Sequence, residues 1–155
     1  MNNEIAQRLK DLNLKLPAPS MPKYSYEPVT SWGGFLYVSG QIPRVNGVLA
    51  LTGAVGAERS IEEGIEAAEL CALNVLAQVE KAVGLDRVQK LVKVNGYVSS
   101  AGGFHDQPTV VDGASKLFVQ VLGIAGRHAR TALGVSGLPA DALVEVEAVF
   151  GIAEA

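Results

Sequence analysis

The 155-residue chain has little of several things that would fix its chemistry at once. Its one cysteine, Cys71, excludes an internal disulfide, and two widely spaced histidines do not form a metal-binding cluster. No apolar run reaches the length that spans a bilayer, and the first residues are polar rather than a signal peptide. We therefore expect a cytoplasmic protein without a metal and without a membrane partner.

Basic residues are also too few for one class of function. The chain carries 13 Lys and Arg residues against 16 Asp and Glu residues, a net charge of −3. A general nucleic-acid binder needs a basic surface that releases counterions from phosphates, so we expect no nucleic-acid partner. Hydrophobic residues make up 48% of the chain, which excludes intrinsic disorder. We expect one domain, 1–155, whose residues 1–25 form a short helix and a lead-in loop.

Hydrophobic periodicity predicts a mixed α+β chain. The expected elements are a helix over 3–12, a proline-rich ordered loop or extended lead-in over 13–32, a hairpin of strands over 35–39 and 48–51, a helix over 61–83, a strand over 89–99, a helix over 107–121, and two strands within 126–150. Ser60 and Glu63 have the spacing of a capping box, and Gly84 provides the stop of the long helix.

Both long helices carry one apolar stripe, so we expect them on the same face of one sheet. In the strand over 89–99, Val92, Val94 and Val98 alternate with polar residues and are expected on the other face. Because no further long helix is predicted to cover that face, we expect a homo-oligomer that buries it between copies.

The stretch 126–150 holds the candidate site. Ala129, Thr131, Leu133 and Val135 alternate with Arg130, Ala132 and Gly134, which predicts one covered face; Glu145 and Glu147 share the polar face of the last strand. If the two strands are neighbours, a fixed cation and a fixed anion lie close together. The fork of an arginine binds carboxylates through two parallel hydrogen bonds, and small neighbours leave room for a ligand. An ordinary surface ion pair is the alternative interpretation.

Other chemistry-bearing residues have simpler interpretations. Ser39 and Gly40 end a strand, where such residues commonly form turns. His105 and His128 are isolated, and Cys71 falls near the apolar stripe of a helix, where a packed side chain is expected. The pattern does not decide whether Glu145 or Glu147 would act on a ligand.

Taken together, these segments resemble the RidA/YjgF family (reactive intermediate deaminase A, also called endoribonuclease L-PSP). The matching segments are VSGQIP at 38–43, GRHAR at 126–130, LP at 138–139 and VEVEA at 144–148. The resemblance implies a chorismate-mutase-like α+β fold, a mixed sheet with two helices on one face, here with an added N-terminal helix. It also implies a homotrimer with a ligand cleft at each subunit boundary.

Family membership further implies hydrolysis of enamines and imines such as 2-aminoacrylate to 2-keto acids and ammonia, with no metal or organic cofactor. By position, Arg130 would bind the substrate carboxylate and Glu145 would hold the attacking water, while Tyr26, Ser39, Gly40, Asp112 and Ala132 would line the pocket. Ala132 and Gly134 stand where the family often has a cysteine and an acid, and Asp112 where an asparagine is common. The alternatives are a non-catalytic protein that binds small carboxylates and, less favoured, an endoribonuclease.

Overall fold

The computed structural model describes residues 3–153, and its elements confirm the mixed α+β class. The helices are α1 (Asn3–Asp11), α2 (Ile61–Ala82) and α3 (Gln107–Leu122). The strands are β1 (Val29–Trp32), β2 (Phe35–Gln41), β3 (Arg44–Val45), β4 (Val48–Leu49), β5 (Val88–Ser99), β6 (Ala129–Val135) and β7 (Val144–Ile152). Short 3-10 turns occupy Leu85–Arg87, Gly123–Gly126 and Pro139–Asp141.

Five strands form one mixed sheet in the order β1-β2-β7-β5-β6. Strands β5 and β6 run parallel, and the other neighbours are antiparallel. Helix α2 packs on β2 and β7, while α3 packs on β5 and β6, so the two long helices cover one face as predicted. The core between these layers includes Phe118 of α3 and Phe150 of β7, which are both fully buried.

A capping box accounts for the start of α2, and a glycine in β5 accounts for the close packing of α3. The Ser60 hydroxyl accepts from the Glu63 N–H at 3.2 Å, and the Glu63 carboxylate accepts from the Ser60 N–H at 2.8 Å. This reciprocal capping box starts α2 as predicted. Helix α3 can approach β5 closely because Gly96 has no side chain, since an added Cβ would meet Val111 Cγ1 at 2.5 Å.

The N-terminal helix and α3 form a further contact on the helix side of the molecule. Ile5 and Leu9 of α1 are buried, and Arg8 Nη1 donates to the carbonyl of Val121 at 3.4 Å. Within residues 3–153, Gln107–Gly126 is the segment that is long and apolar enough to cross a membrane, and 50% of it is buried in the protein. A core helix meets the same criteria, and α3 packs against α2, β5 and β6.

Two predictions about the first strands are wrong. The lead-in segment is not a loop throughout, because its last residues, Val29–Trp32, form β1 and pair with β2. Strand β2 does not form a hairpin with residues 48–51 either; its partners are β1 and β7. Residues Val48–Leu49 instead pair with Arg44–Val45 in a separate two-stranded ribbon. Local spacing favours a hairpin, but β2 pairs with distant β7, and helix α2 packs over the buried residues of β2.

The prediction for the faces of β5 is also wrong. A bulge between Leu91 and Lys93 shifts the register, so that Leu91 and Val94 both face the core while Val92 is 36% exposed. Val94 and Val98 are fully buried on the helix side. The uncovered face of β5 therefore carries Lys93, Asn95 and Tyr97. If copies of the chain associate through this face, they bury these residues instead of the valines.

The predicted assignment of the two faces of β6 is reversed, although its register with β5 has no bulge. Arg130 pairs with Val94 and Ala132 with Gly96 in the β5–β6 register, so these residues lie on the helix side of the sheet. Leu133 pairs with Tyr97 on the open side and is 50% exposed. The single period of the strand was correctly recognised, but period alone does not tell which face receives the helices.

Candidate functional site

A bulge in β2 brings together one group of the predicted site residues. The β2–β7 register passes from Val38 opposite Ala148 to Gln41 opposite Val146, which leaves Ser39 and Gly40 as the irregular pair. A Cβ added to Gly40 would fall on the Glu145 carboxylate, so the absence of a side chain makes space for that group. Bulges of this kind often re-aim side chains next to functional sites.

The loop before β1 lies against the same bulge. The Ser39 hydroxyl donates to the carbonyl of Glu27 at 2.7 Å, and the Ser39 N–H donates to the carbonyl of Pro28 at 2.9 Å. Tyr26, next to Glu27 in the chain, is 51% exposed. We call Tyr26, Ser39, Gly40 and Glu145 the bulge cluster, and these predicted residues come from three separate segments of the chain.

Two carboxylates of β7 differ in their surroundings. Burial, and then the nearby charge of Glu147, raise the pKa of Glu145 above its usual value. Glu147 Oε1 accepts hydrogen bonds from Asn95 Nδ2 at 2.9 Å and from the Tyr97 hydroxyl at 2.7 Å. The hydrogen bond from the Tyr97 hydroxyl to Glu147 is the main reason that the pKa of Tyr97 rises to about 12. Within residues 3–153 no cationic side chain comes within salt-bridge distance of Glu145.

A hollow opens beside the bulge cluster on the face of the sheet that no helix covers. It has a volume of about 270 Å³ and is lined by Tyr37, Ser39, Lys93, Asn95 and Glu147 among others. Lys93 Nζ donates to Thr131 Oγ1 at 2.9 Å across β5 and β6. The hollow therefore joins a serine of the bulge cluster to a carboxylate and an ammonium group, and it has room for a molecule of a few carbon atoms.

A second group of predicted residues lies at the β6 edge of the sheet. Arg130 Nη1 contacts Asp112 Oδ1 of α3 at 3.5 Å, and Lys116 Nζ contacts Asp112 Oδ2 at 3.2 Å. The Arg130 side chain is 24% exposed. Ala132, two residues further along β6, packs against the core. We call Asp112, Ser115, His128, Arg130 and Ala132 the edge cluster.

Sequence reasoning missed Ser115 and treated His128 as isolated. Ser115 Oγ lies 3.3 Å from Arg130 Nη1, from which it accepts, and 2.9 Å from His128 Nε2. His128 Nδ1 lies 2.6 Å from the carbonyl oxygen of Gly126. The available signal was the helical spacing of Asp112 and Ser115, which places both on one face of α3. Without the position of β6, that spacing does not indicate a partner.

Residues of α3 occupy part of the space beside Arg130 that was expected for a ligand. Helix α3 lies across this part of β6, and an added Cβ at Gly134 would meet Gln107 Nε2 at 2.5 Å. Small residues at 132 and 134 serve the close packing of α3 and the core rather than a hollow on this face of the sheet. What stays open is the outer edge of the guanidinium, because Nη1 carries both hydrogen bonds recorded for Arg130 among residues 3–153.

The condition that the last two strands are neighbours is not met, because β5 lies between β6 and β7. Glu145 pairs with Tyr97, whose β6 partner is Leu133, while Arg130 lies opposite Val94. At ordinary strand spacings, the two backbone positions are roughly 10 Å apart across the sheet and roughly 10 Å apart along it. Their side chains also leave opposite faces, so one chain does not bring Arg130 and Glu145 onto one small molecule.

The architecture is that of a mixed sheet covered by helices on one face, with candidate residues divided between a bulge and an edge strand. A family model described as "YjgF/chorismate mutase-like, putative endoribonuclease" matches residues 6–153. The chain belongs to this YjgF/chorismate mutase-like family, to which its fold and its sequence segments both correspond.

Individual relatives match over nearly the whole chain. Protein TCP17 of Trypanosoma cruzi is 43% identical over 150 residues, covering 96% of this chain and 94% of that protein. The crystal structure of Atu1372 from Agrobacterium tumefaciens is 43% identical with a TM-score of 0.91, covering 97% of this chain and 94% of that one. A structure from Shewanella oneidensis MR-1 with the same endoribonuclease description is 32% identical with a TM-score of 0.94, covering 97% and 100%.

Proposed function

We propose that the protein hydrolyses reactive enamines and imines of the 2-aminoacrylate type to 2-keto acids and ammonia, at clefts between copies of the chain. In each cleft, Arg130 of one copy would bind the substrate carboxylate and Glu145 of its neighbour would direct the water. The substrate class is the one that the resemblance to the RidA/YjgF family implies, and the match of the family model over residues 6–153 supports that resemblance. The division of the two residues between opposite faces of the sheet supports a site completed by a second copy.

The observation that carries this proposal is the arrangement around Arg130. Its Nη1 is bonded to Asp112 and Ser115, and the remaining edge of the guanidinium is left for a ligand. A carboxylate that meets this edge can accept two parallel charge-assisted hydrogen bonds. Because β6 is the last strand of the sheet, a neighbouring copy can approach that edge without displacing another strand.

Glu145 has the properties that the hydrolytic step requires. A proton from solvent adds to the enamine carbon and gives an iminium ion, and water adds to the iminium carbon to form a carbinolamine. The carbinolamine expels ammonia, and its hydroxyl group returns a proton to solvent as it becomes the keto group. Glu145 would accept a proton from the attacking water and return it to the departing nitrogen. A carboxyl group whose pKa is raised by burial is better matched to such transfers near neutral pH. Holding the iminium carbon beside an oriented water supplies the remaining acceleration.

We propose a homotrimer, as the family resemblance implies, with three equivalent clefts. Exposed Tyr37 and Leu133 lie on the open sheet face together with Lys93 and Asn95, and a second copy would cover part of that face. A cyclic arrangement repeats one heterologous contact, so each copy contributes Arg130 to one cleft and Glu145 to the next. No metal or organic cofactor enters this scheme.

The activity is tested by supplying 2-aminoacrylate from a serine dehydratase and following the release of pyruvate. Addition of the protein should accelerate release, Arg130→Ala should remove the acceleration, and Arg127→Ala, an exposed arginine in the same segment, should retain it. Release at the rate of buffer alone, or equal acceleration by Arg130→Ala, would contradict the proposal.

A second candidate is a non-catalytic protein that binds small 2-keto acids in the same clefts. It is favoured by Ala132, which packs against the core and offers no reactive group beside Arg130. This function predicts that 2-ketobutyrate binds, that Arg130→Ala abolishes binding, and that the dehydratase assay shows no acceleration.

The endoribonuclease activity in the family description is less favoured. Both ring nitrogens of His128 are hydrogen-bonded, to Ser115 and to Gly126, and the net charge of the chain is −3.

A further inference from the structure

A chain of hydrogen bonds links a backbone carbonyl of the α3–β6 connection to the guanidinium of Arg130. The first link joins His128 Nδ1 to the oxygen of Gly126 at 2.6 Å. A carbonyl oxygen can only accept, so Nδ1 carries the proton. In the neutral imidazole, Nε2 is then an acceptor, and the connection itself fixes the tautomer of the ring.

The next link follows from this tautomer. Ser115 Oγ lies 2.9 Å from His128 Nε2, and its one proton must point to that nitrogen. The lone pairs of Ser115 Oγ are thereby turned toward Arg130, whose Nη1 donates to it at 3.3 Å. A serine without the histidine would be free to rotate its hydroxyl proton toward the guanidinium.

Burial and charge keep this orientation in place. Burial is the main reason that the pKa of His128 is lowered. The hydrogen bond to Gly126 and the charge of Asp112 oppose this shift, while the positive charges of Arg130 and Lys90 add to it. The ring is therefore neutral near pH 7 and remains an acceptor. It also packs edge-on against Phe118, with ring centroids 6.1 Å apart, which restricts its rotation.

We propose that Ser115 and His128 are positioning residues that hold Nη1 of Arg130 against α3 and so present its opposite edge to a carboxylate ligand. The ligand class rests on the proposed function, but the anchoring of the guanidinium does not. Asp112 is an incomplete substitute as an anchor, because its carboxylate is shared with Lys116 and lies 3.5 Å from Nη1. The pair acts on binding through the orientation of Arg130 without touching the substrate.

Anchoring is measured directly in the ligand-free protein by NMR of the guanidinium nitrogens, labelled with ¹⁵N and assigned with Arg130→Lys. The parent should give separate Nη1 and Nη2 signals for Arg130, because a fixed Nη1 slows rotation about the Cζ–Nε bond. Ser115→Ala and His128→Ala should average them. His128→Gln, whose amide oxygen can accept from Ser115, should restore separate signals. Exposed Ser136→Ala and His105→Ala are the matched controls and should resemble the parent.

Ligand binding is measured on the same variants by calorimetry with 2-ketobutyrate and with its uncharged amide. Loss of a hydrogen bond to a charged group should weaken binding of the acid roughly tenfold in Ser115→Ala and His128→Ala. Binding of the amide should change little, and His128→Gln should recover most of the affinity for the acid. A structural role alone would weaken both ligands equally.

The two measurements separate the fate of this inference from that of the proposed function. If the parent binds no 2-keto acid, the proposed function fails, and the NMR signals still decide whether Ser115 and His128 anchor Arg130. Separate signals in Ser115→Ala and His128→Ala would overturn the inference. Equal losses for the acid and the amide would overturn it as well.

Discussion

The bulge cluster and the edge cluster have opposite charges, and their charged groups differ in how many partners they find within the chain. At the bulge, Glu145 is half-buried among uncharged groups and beside a second carboxylate, with a raised pKa and no cation in reach among residues 3–153. At the edge, Arg130 already has an acidic partner and a hydroxyl acceptor, and one side of its fork stays open. Glu145, which has no cationic partner among residues 3–153, and Arg130, which has hydrogen-bond donors left for a ligand, lie on opposite faces of one sheet.

Under the proposed function, each cluster is half of a site. A half-buried carboxylate without a cationic partner lowers the stability of the fold. The burial of Arg130 is offset by its contacts with Asp112 and Ser115. In the proposed cleft, joining the two halves across copies would close the hollow beside Ser39 and bring a substrate held by Arg130 to Glu145. The proposed function thus assigns the cost of burying a carboxylate to the bulge cluster and the binding of the substrate carboxylate to the edge cluster.

The largest expected difference between the two clusters is in catalytic activity after a methyl group is added to one cluster or to the other. Gly40→Ala places a Cβ on the Glu145 carboxylate, which must move away, and misplacing a catalytic group by such a distance should lower kcat/KM roughly tenfold or more. Gly134→Ala places its Cβ 2.5 Å from the amide of Gln107, a flexible group that can turn aside. Activity should change little in that variant, and equal losses in both would remove the distinction.

A smaller effect is expected on stability. The folded-state pKa of Glu145 is raised, so its contribution is fully present below the ordinary value of 4.5 and is lost as the pH rises through the raised value. At pH 7 the ionised group carries the cost of burial, which Glu145→Gln removes. The variant should melt roughly 1–4 °C higher than the parent at pH 7 and gain nothing at pH 4. A lower melting temperature at pH 7 would contradict this account of the bulge.

Features of the fold that depend on nearby residues were predictable from the sequence. The capping box of Ser60 and Glu63 defines the start of α2 by contacts three residues apart, and the apolar stripes of α2 and α3 indicate their common layer. Pairings between distant segments were not predictable. Strand β7 comes more than a hundred residues after β2 and yet replaces the expected hairpin partner.

The same limit applies to the candidate site. The types of residue at 130 and 145 suggested a cation and an anion for a small acid, but the insertion of β5 between their strands depends on a parallel crossover through α3. The bulge at Leu91 and Lys93 has no sequence signal that separates it from regular alternation. His128 and Ser115 meet only because α3 crosses β6, so neither residue signals its role in isolation.

The most direct test of a site shared between copies is complementation of two defective chains. Arg130→Ala and Glu145→Gln should each be inactive alone in the dehydratase assay. Co-expressed with different tags and purified as mixed oligomers, they should regain about one quarter of the parent activity, because a randomly assembled ring gives one cleft in four an intact pair. If both residues act within one chain, every chain in the mixture is defective, and activity that stays at the level of either variant would contradict the account.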